Sequence, residues 1–394
     1  MLYKTIGAAL ALGLLLPASA SAVTLGNTEV SFGGYIKFDT LYSDFSEGEP
    51  GASIARDFYI PSLTPVGSTD NATRVDAHAR QTRFNFKTVT NLDEHTLTGY
   101  VELDFLVTPI GDERISNSFA PRLRHAFIKF TNWFSGDWLF GQTWSTFLDV
   151  GALPETVDFI GTTDGTIFIR QPQVRYSRNG FDIALENPET TITPNGGGAR
   201  DTTDDNFVPD LVVRKTWSGA QGHIAIAGLV RQLACDNCTA NNSAGKDSAI
   251  GGGGSLTGKF IFNNGDDVRF ALNGGSGLGR YLGLNTLNGA VIDNTGEVEA
   301  IDSYGGFIAY RHLWNTRWRS NLHYSHFIGD ADTNLTGLGV TESTYRVAAN
   351  FLYSPVPPLT LGVELSHAER EIESGLDGSL RRIQFSAQYN FDLK

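Results

Sequence analysis

Apolar and polar residues alternate with a period of two in segment after segment. Val30, Phe32, Gly34, Ile36 and Phe38 fall on one face of the first segment, with Ser31, Tyr35, Lys37 and Asp39 on the other. Leu97, Gly99, Val101, Leu103 and Phe105 oppose Thr98, Tyr100, Glu102 and Asp104 in the same way. Near the C-terminus Ile383, Phe385, Ala387, Tyr389 and Phe391 oppose Gln384, Ser386, Gln388 and Asn390. A dyad period held over about ten residues is what a strand with one face in lipid and one in water requires. A soluble sandwich alternates identically, so the connections must decide.

The pattern places strands at 30–43, 74–90, 96–108, 120–131, 136–143, 166–178, 180–187, 207–217, 221–233, 250–263, 266–277, 298–312, 315–329, 341–354, 357–372 and 378–392. That is about sixteen, and the alternation breaks near Arg80, Arg83 and Pro172. Every second connection is short, as at 91–95, 132–135, 218–220, 264–265 and 354–356. The others are mostly long, as at 44–73, 144–165, 188–206, 234–249 and 278–297. Short turns at one rim and long loops at the other predict an all-β fold: a transmembrane antiparallel β-barrel of the outer-membrane type.

Residues 1–22 read as a cleaved secretory signal peptide. Lys4 precedes an apolar run at 6–16, and Ala20-Ser21-Ala22 forms a small-residue cleavage site. Cleavage after Ala22 leaves 23–394 as one barrel domain, exported to the outer membrane of a Gram-negative bacterium. No later apolar run is long enough for a spanning helix. No linker, low-complexity stretch or fixed repeat divides the chain. Trp133, Phe134, Trp138, Trp217, Trp314, Trp318, Tyr353 and Tyr389 sit near strand ends. Interfacial girdles would place them there, although core packing could also hold them.

One connection stands out. Between Trp144 and Tyr176 lie Gly151, Pro154, Gly161 and Gly165 with Asp149, Glu155, Asp158 and Asp164, too irregular for a strand in lipid. A long insertion of this kind is usually functional, and it is expected to fold inward and narrow the lumen. Arg170 and Arg175 follow it. The formal charge is −13, yet arginines recur in pairs: Arg80 with Arg83, Arg122 with Arg124, Arg317 with Arg319, Arg381 with Arg382. Arg122 and Arg124 share a face, and a lipid-facing arginine at mid-depth costs ~2–4 kcal/mol. They must therefore face the lumen or a rim; Arg214, opposite in phase to Leu211 and Val213, also points inside. Guanidinium grips carboxylates at two points, so these residues are expected to form an anion ladder, a polar lattice with Glu102, Asp104, Asp182, Glu186 and Asp210, or both at once.

Cys235 and Cys238, in what reads as a long loop, are expected to form a disulfide, the default in an oxidising compartment. No metal or cofactor site is expected: none of the 8 histidines is near the cysteines. No hydrolase or nucleotide-binding signature occurs, and no nucleic-acid partner is expected.

The stretch GQTWSTF…LPETVDFIGTTDGTIFIRQPQVRYS, with VELDF before it and ENP and PDLVVR after it, resembles the DcaP-type porins across essentially the whole mature chain. The resemblance implies a trimeric barrel in outer-membrane lipid, constricted by the loop between its fifth and sixth strands, here 146–165. It also implies passive uptake of small anionic solutes, dicarboxylates and aromatic carboxylates. Two departures stand against it. Val23 leads almost directly into the first strand, so no helical N-terminal extension is expected, and Asp392-Leu393-Lys394 follows the last aromatic residue. The combined expectation is a transverse field, with wall arginines Arg80, Arg83, Arg122, Arg124, Arg170, Arg175 and Arg214 opposed by Glu155, Asp158 and Asp164 on the loop. The competitors are a lumen-filled structural or adhesion barrel and a barrel lipid hydrolase.

Overall fold

The computed structural model describes residues 23–106, 109–110, 112, 114–240 and 243–393, with 237–240, 243–246 and 393 described by backbone alone. The expected leader at 1–22 lies outside the described residues. The chain forms a closed antiparallel barrel of 16 strands. In order they are β1 (Thr28–Phe45), β2 (Ala72–His78 and Arg83–Leu92), β3 (His95–Asp104), β4 (Arg122–Trp133), β5 (Gly136–Trp144), β6 (Arg170–Arg178), β7 (Phe181–Glu186) and β8 (Asp210–Gly219). There follow β9 (Gly222–Ala240), β10 (Ser243–Ile261), β11 (Asp267–Ser276), β12 (Asp302–Leu313), β13 (Trp318–Asp330), β14 (Thr341–Val356), β15 (Leu359–Ile372) and β16 (Asp377–Leu393). Each strand pairs with the next, and β1 closes the ring on β16 from Phe32↔Leu393 to Phe45↔Leu380. Closure leaves no sheet edge, which is what lets a β-structure satisfy its backbone in lipid.

The alternation seen in sequence is the inside–outside alternation of the wall. Phe32, Ile36, Phe38, Ile128, Leu272, Ile308, Leu365 and Ile383 are exposed outward. Glu102, Asp104, Arg124, Arg346, Glu364 and Gln384 are buried inside. The pattern fails where the wall bulges. Asp39↔His78 and Tyr35↔Arg83 bracket the four residues 79–82 on β2 against three on β1. On β4 the register slips between Glu102↔His125 and Leu103↔Leu123, so Arg124 and His125 both turn inward. Bulges commonly re-aim side chains next to functional sites. The two carbonyls displaced on β4 find a donor on the outer face: Gln142 Nε2 reaches Leu123 O at 3.1 Å and Arg124 O at 3.3 Å.

Two boundaries differ from expectation. Residues 166–169 belong to the inward loop rather than to β6. The stretch 234–249 is not a long loop, because β9 and β10 continue as a hairpin to Ala240 and Ser243. Cys235 is therefore a strand residue, and it is disulfide-bonded; the side chain of Cys238, its expected partner, lies outside the described residues.

The loops on the long side fill much of that end of the barrel. The connection at 145–169 runs around the inner wall. Over it pack the loop at 46–71 and the loop at 277–301, whose Leu278, Tyr281, Leu282 and Leu287 join Phe147, Leu148 and Ile167 in one apolar core. A four-stranded sheet of Thr190–Thr193, Asp201–Thr203, Ala290–Ile292 and Val298–Ala300 ties two outer loops together.

Candidate functional site: the lumen and its constriction

The inward loop is fastened to the wall at nearly every turn. Wall side chains donate to its carbonyls: Arg214 to Leu148 O at 2.8 Å, Lys37 to Val157 O at 2.8 Å, Arg346 to Gly161 O at 2.7 Å and Asn273 to Gly165 O at 2.8 Å. Arg269 likewise donates to Leu153 O. These donors lie on β8, β1, β14 and β11, so the loop is held across most of the circumference. Gly165 lies against Gly306 of β12 so closely that a Cβ there would stand 2.0 Å from the Gly306 carbonyl oxygen. Only glycine permits that approach.

The loop's acids are part of this fastening. Glu155 accepts from Arg319 Nε at 2.9 and 2.8 Å on its two oxygens. Asp158 takes Arg346 Nη1 at 2.8 Å, while Arg346 Nη2 reaches Glu364 at 3.0 Å and Glu364 in turn accepts from Val157 N at 2.9 Å. Asp164 accepts three hydroxyls, from Tyr59 at 2.7 Å, Ser325 at 2.7 Å and Thr344 at 2.5 Å. Burial raises the Asp164 carboxyl from its ordinary value, against the pull of those hydroxyls. Asp149 holds His223 Nε2 at 2.7 Å and Thr257 at 2.8 Å. Asp158 is 2% and Asp164 0% exposed, so these two of the three loop acids expected to face the wall arginines serve as buried anchors, while Glu155 keeps 33% of its side chain exposed beside Arg319.

What the loop turns toward the arginines is aromatic. Arg124 lies 5.7 Å from the Phe159 ring and 5.8 Å from Trp144, and Arg170 stacks over Trp144 at 4.3 Å with Phe168 at 5.8 Å. Phe168 makes edge contacts with both Phe159 and Trp144. Guanidinium over an aromatic face is attracted by the ring quadrupole, so the rings hold the cations without neutralising them.

Around this shelf gather Arg83, Arg122, Arg124 and Arg170. Arg122 grips Asp104 with two bonds of 2.9 and 2.8 Å, and Arg124 bridges Glu102 and Asp104 at 2.7 Å each. Arg83 stands 3.4 Å from Glu102. Arg170 makes no ion pair among the described residues, and its Nη1 is buried without a hydrogen-bond partner. Four guanidiniums thus face two carboxylates. Arg122 is the most open of those paired, with 30% of its side chain exposed, against 2% for Arg124. Arg124 organises the cluster, Arg83 keeps 20% of its side chain exposed, and Arg170 is half-buried beside them. Below them a cavity of about 590 Å³ runs toward the short-turn rim, lined by Tyr35, Arg83, Asn85, Lys87 and Glu102.

The other expected wall residues go elsewhere. Arg80, on the β2 bulge, pairs with Asp57 of the loop at 46–71 and lies 3.7 Å from the Phe119 ring. Arg175 parts from Arg170 and donates to Gln173 Oε1 at 2.9 Å and Trp144 O at 2.5 Å. Arg214 pairs with Asp182 at 2.8 Å. Sequence reasoning passed over a second basic group: Arg269, Arg311 and Lys259 converge on Asp267 at 2.7, 2.6 and 3.8 Å. Their inward phase was readable, since Phe270, Tyr310 and Phe260 beside them point out.

A closed barrel of this strand count, with a wall-fastened loop after the fifth strand, defines the outer-membrane porin fold. The match of the DcaP outer membrane protein family to residues 17–391 shows that the chain belongs to that family. Among solved structures it is similar to the outer membrane channel DcaP of Acinetobacter baumannii, with a TM-score of 0.77 and 23% identity over 94% of this chain and 100% of that one. It is also similar in fold to the trimer form of OmpT of Vibrio cholerae (TM-score 0.55, 12% identity, 92% of this chain and 99% of that one). The anion-selective porin of Comamonas acidovorans matches at TM-score 0.56 and 9% identity over 92% of this chain and 100% of that one. No curated protein matches the sequence.

Proposed function

We propose that this porin passes small anionic solutes, dicarboxylates and aromatic carboxylates among them, and works as a homotrimer. The observation that carries the reading is the excess of guanidinium over carboxylate at the constriction, with Arg170 unpaired and stacked on Trp144. A carboxylate approaching Arg170 or Arg122 gains a few contacts, each worth ~1 kcal/mol in water-like surroundings and about four times that near a low-dielectric wall. Such contacts bias entry without trapping the solute, which conduction requires. Phe159 and Phe168 offer an apolar face to the carbon body of the same solute. The family membership and the trimer form named for Vibrio cholerae OmpT support the remainder.

The test is uptake into liposomes holding purified protein, with mono- and dicarboxylates against neutral solutes of equal size. Wild type is expected to favour the carboxylates, and Arg122→Gln with Arg170→Gln to lose that preference while neutral uptake stays. Equal rates for all solutes in wild type would refute the reading. Native mass spectrometry in mild detergent reads the trimer directly.

A further inference from the structure

The consecutive arginines Arg381 and Arg382 face opposite ways. Arg382 is buried inside and donates to Ser43 Oγ and Ala55 O at 2.8 Å each. Arg381 is exposed on the outer wall, on the phase of Ile383 and Phe385. Its side chain makes no hydrogen bond or ion pair among the described residues. A cation on a lipid-facing wall carries a cost that falls to ~0–1 kcal/mol near the interface, so its depth and company matter.

The strand register supplies both. Arg381 sits in a row His367↔Arg381↔Asp44. One row closer to the mid-plane lies Leu322↔Ala349↔Leu365↔Ile383. The charged row is on the side of the long loops, the outer side in barrels of this type. Together the rows border an outward-facing groove of about 710 Å³, opened by the small side chain of Ala349. The neighbouring acids are already engaged: Asp44 accepts from Thr73 at 3.0 Å, and Glu369 from His367 at 3.0 Å. Among the described residues the Arg381 guanidinium pairs with neither acid, and Asp44 is the carboxylate that stands beside it in the row.

We infer that this groove seats a phosphorylated lipid of the outer leaflet, its phosphate on Arg381 and an acyl chain along Leu322, Ala349, Leu365 and Ile383. Arginine's planar fork grips phosphate with two parallel bonds, and the apolar row lies where the chain would enter the membrane. The apolar row faces outward and the exposed guanidinium stands at its loop-side end, the order in which a lipid presents chain and headgroup; a second copy of the protein is the alternative that the oligomeric state reads.

The test is native mass spectrometry of the full chain in neutral detergent with added lipid A. Wild type is expected to retain lipid A, and Arg381→Gln to retain about tenfold less, the worth of one charge-assisted contact. Arg381→Lys should keep part of the binding, and Ala349→Trp should displace the chain with Arg381 intact. Equal retention by wild type and Arg381→Gln, or unaltered retention by Ala349→Trp, would overturn the site. So would a change of oligomeric state in either variant, which would make the groove a subunit contact.

Discussion

The triad Asp158–Arg346–Glu364 is the place where the inward loop can be released with a single substitution. All three side chains are essentially buried, at 0–1% exposure. Replacing Arg346 by Met keeps the volume and removes the charge, leaving two carboxylates without the guanidinium that joins them and only His323, 3.8 Å from Glu364, nearby. Breaking a buried pair from one side costs ~3–5 kcal/mol, because the other charge stays desolvated. If that cost falls on docking, the ratio of tucked to released loop drops by roughly two-hundredfold to five-thousandfold. The other fastenings, Glu155 on Arg319 and Asp164 on its hydroxyls, keep the loop from leaving altogether. Single-channel recordings of Arg346→Met should therefore show larger and flickering conductance levels where wild type is expected to be steady. Asp158→Asn with Glu364→Gln, added to Arg346→Met, removes the stranded charges and should restore a quieter channel. A single Arg346→Met with wild-type conductance and wild-type heat stability would refute the anchoring argument.

Three further outcomes are expected. Gln142→Leu strands the carbonyls of Leu123 and Arg124 on the lipid face, and urea unfolding from vesicles should show a loss of ~1–3 kcal/mol; an unchanged midpoint would mean that the bulge needs no donor. The folded state holds the Asp164 proton more tightly than the unfolded chain, because burial raises that carboxyl. Its contribution to stability therefore falls as pH rises from the ordinary carboxylate range toward the raised value. Asp164→Asn should remove that slope, and parallel pH profiles for the two proteins would contradict it. Deleting 151–163 should raise single-channel conductance, whereas equal conductance would place the loop outside the path.

The barrel was legible because lipid enforces its rule at every strand: an outward polar residue or an unpaired backbone group has no water to turn to. The alternation around Val30 or Ile383, and the loop lengths, carry that rule openly. The bulges at 79–82 and at Arg124 were visible only as broken alternation. Their consequence, His125 joining Arg124 inside, depends on the register of β3 against β4. The burial of Asp158 and Asp164 was hidden for a different reason. Sequence locates a carboxylate on a segment but not the side that segment turns inward, and Asp158 and Asp164 turned to Arg346 and Tyr59. Nothing in the local sequence marks Phe159 and Phe168 as the face presented to the arginines. The contribution of 277–301 was hidden too, since Tyr281 reaches Asp210 and Gln171 only through the fold.

On this proposal the excess of guanidinium over carboxylate at the constriction, with Arg170 unpaired among the described residues, chooses the sign of what passes. The direct measurement is the zero-current potential of the purified protein in planar bilayers under a KCl gradient, begun near 0.1 M, where the Debye length is about 10 Å. Wild type should show an anion-selective potential that weakens toward 1 M, and Arg122→Gln with Arg170→Gln should move it toward zero. A cation-selective wild type, or a variant with the same potential at low salt, would contradict the account.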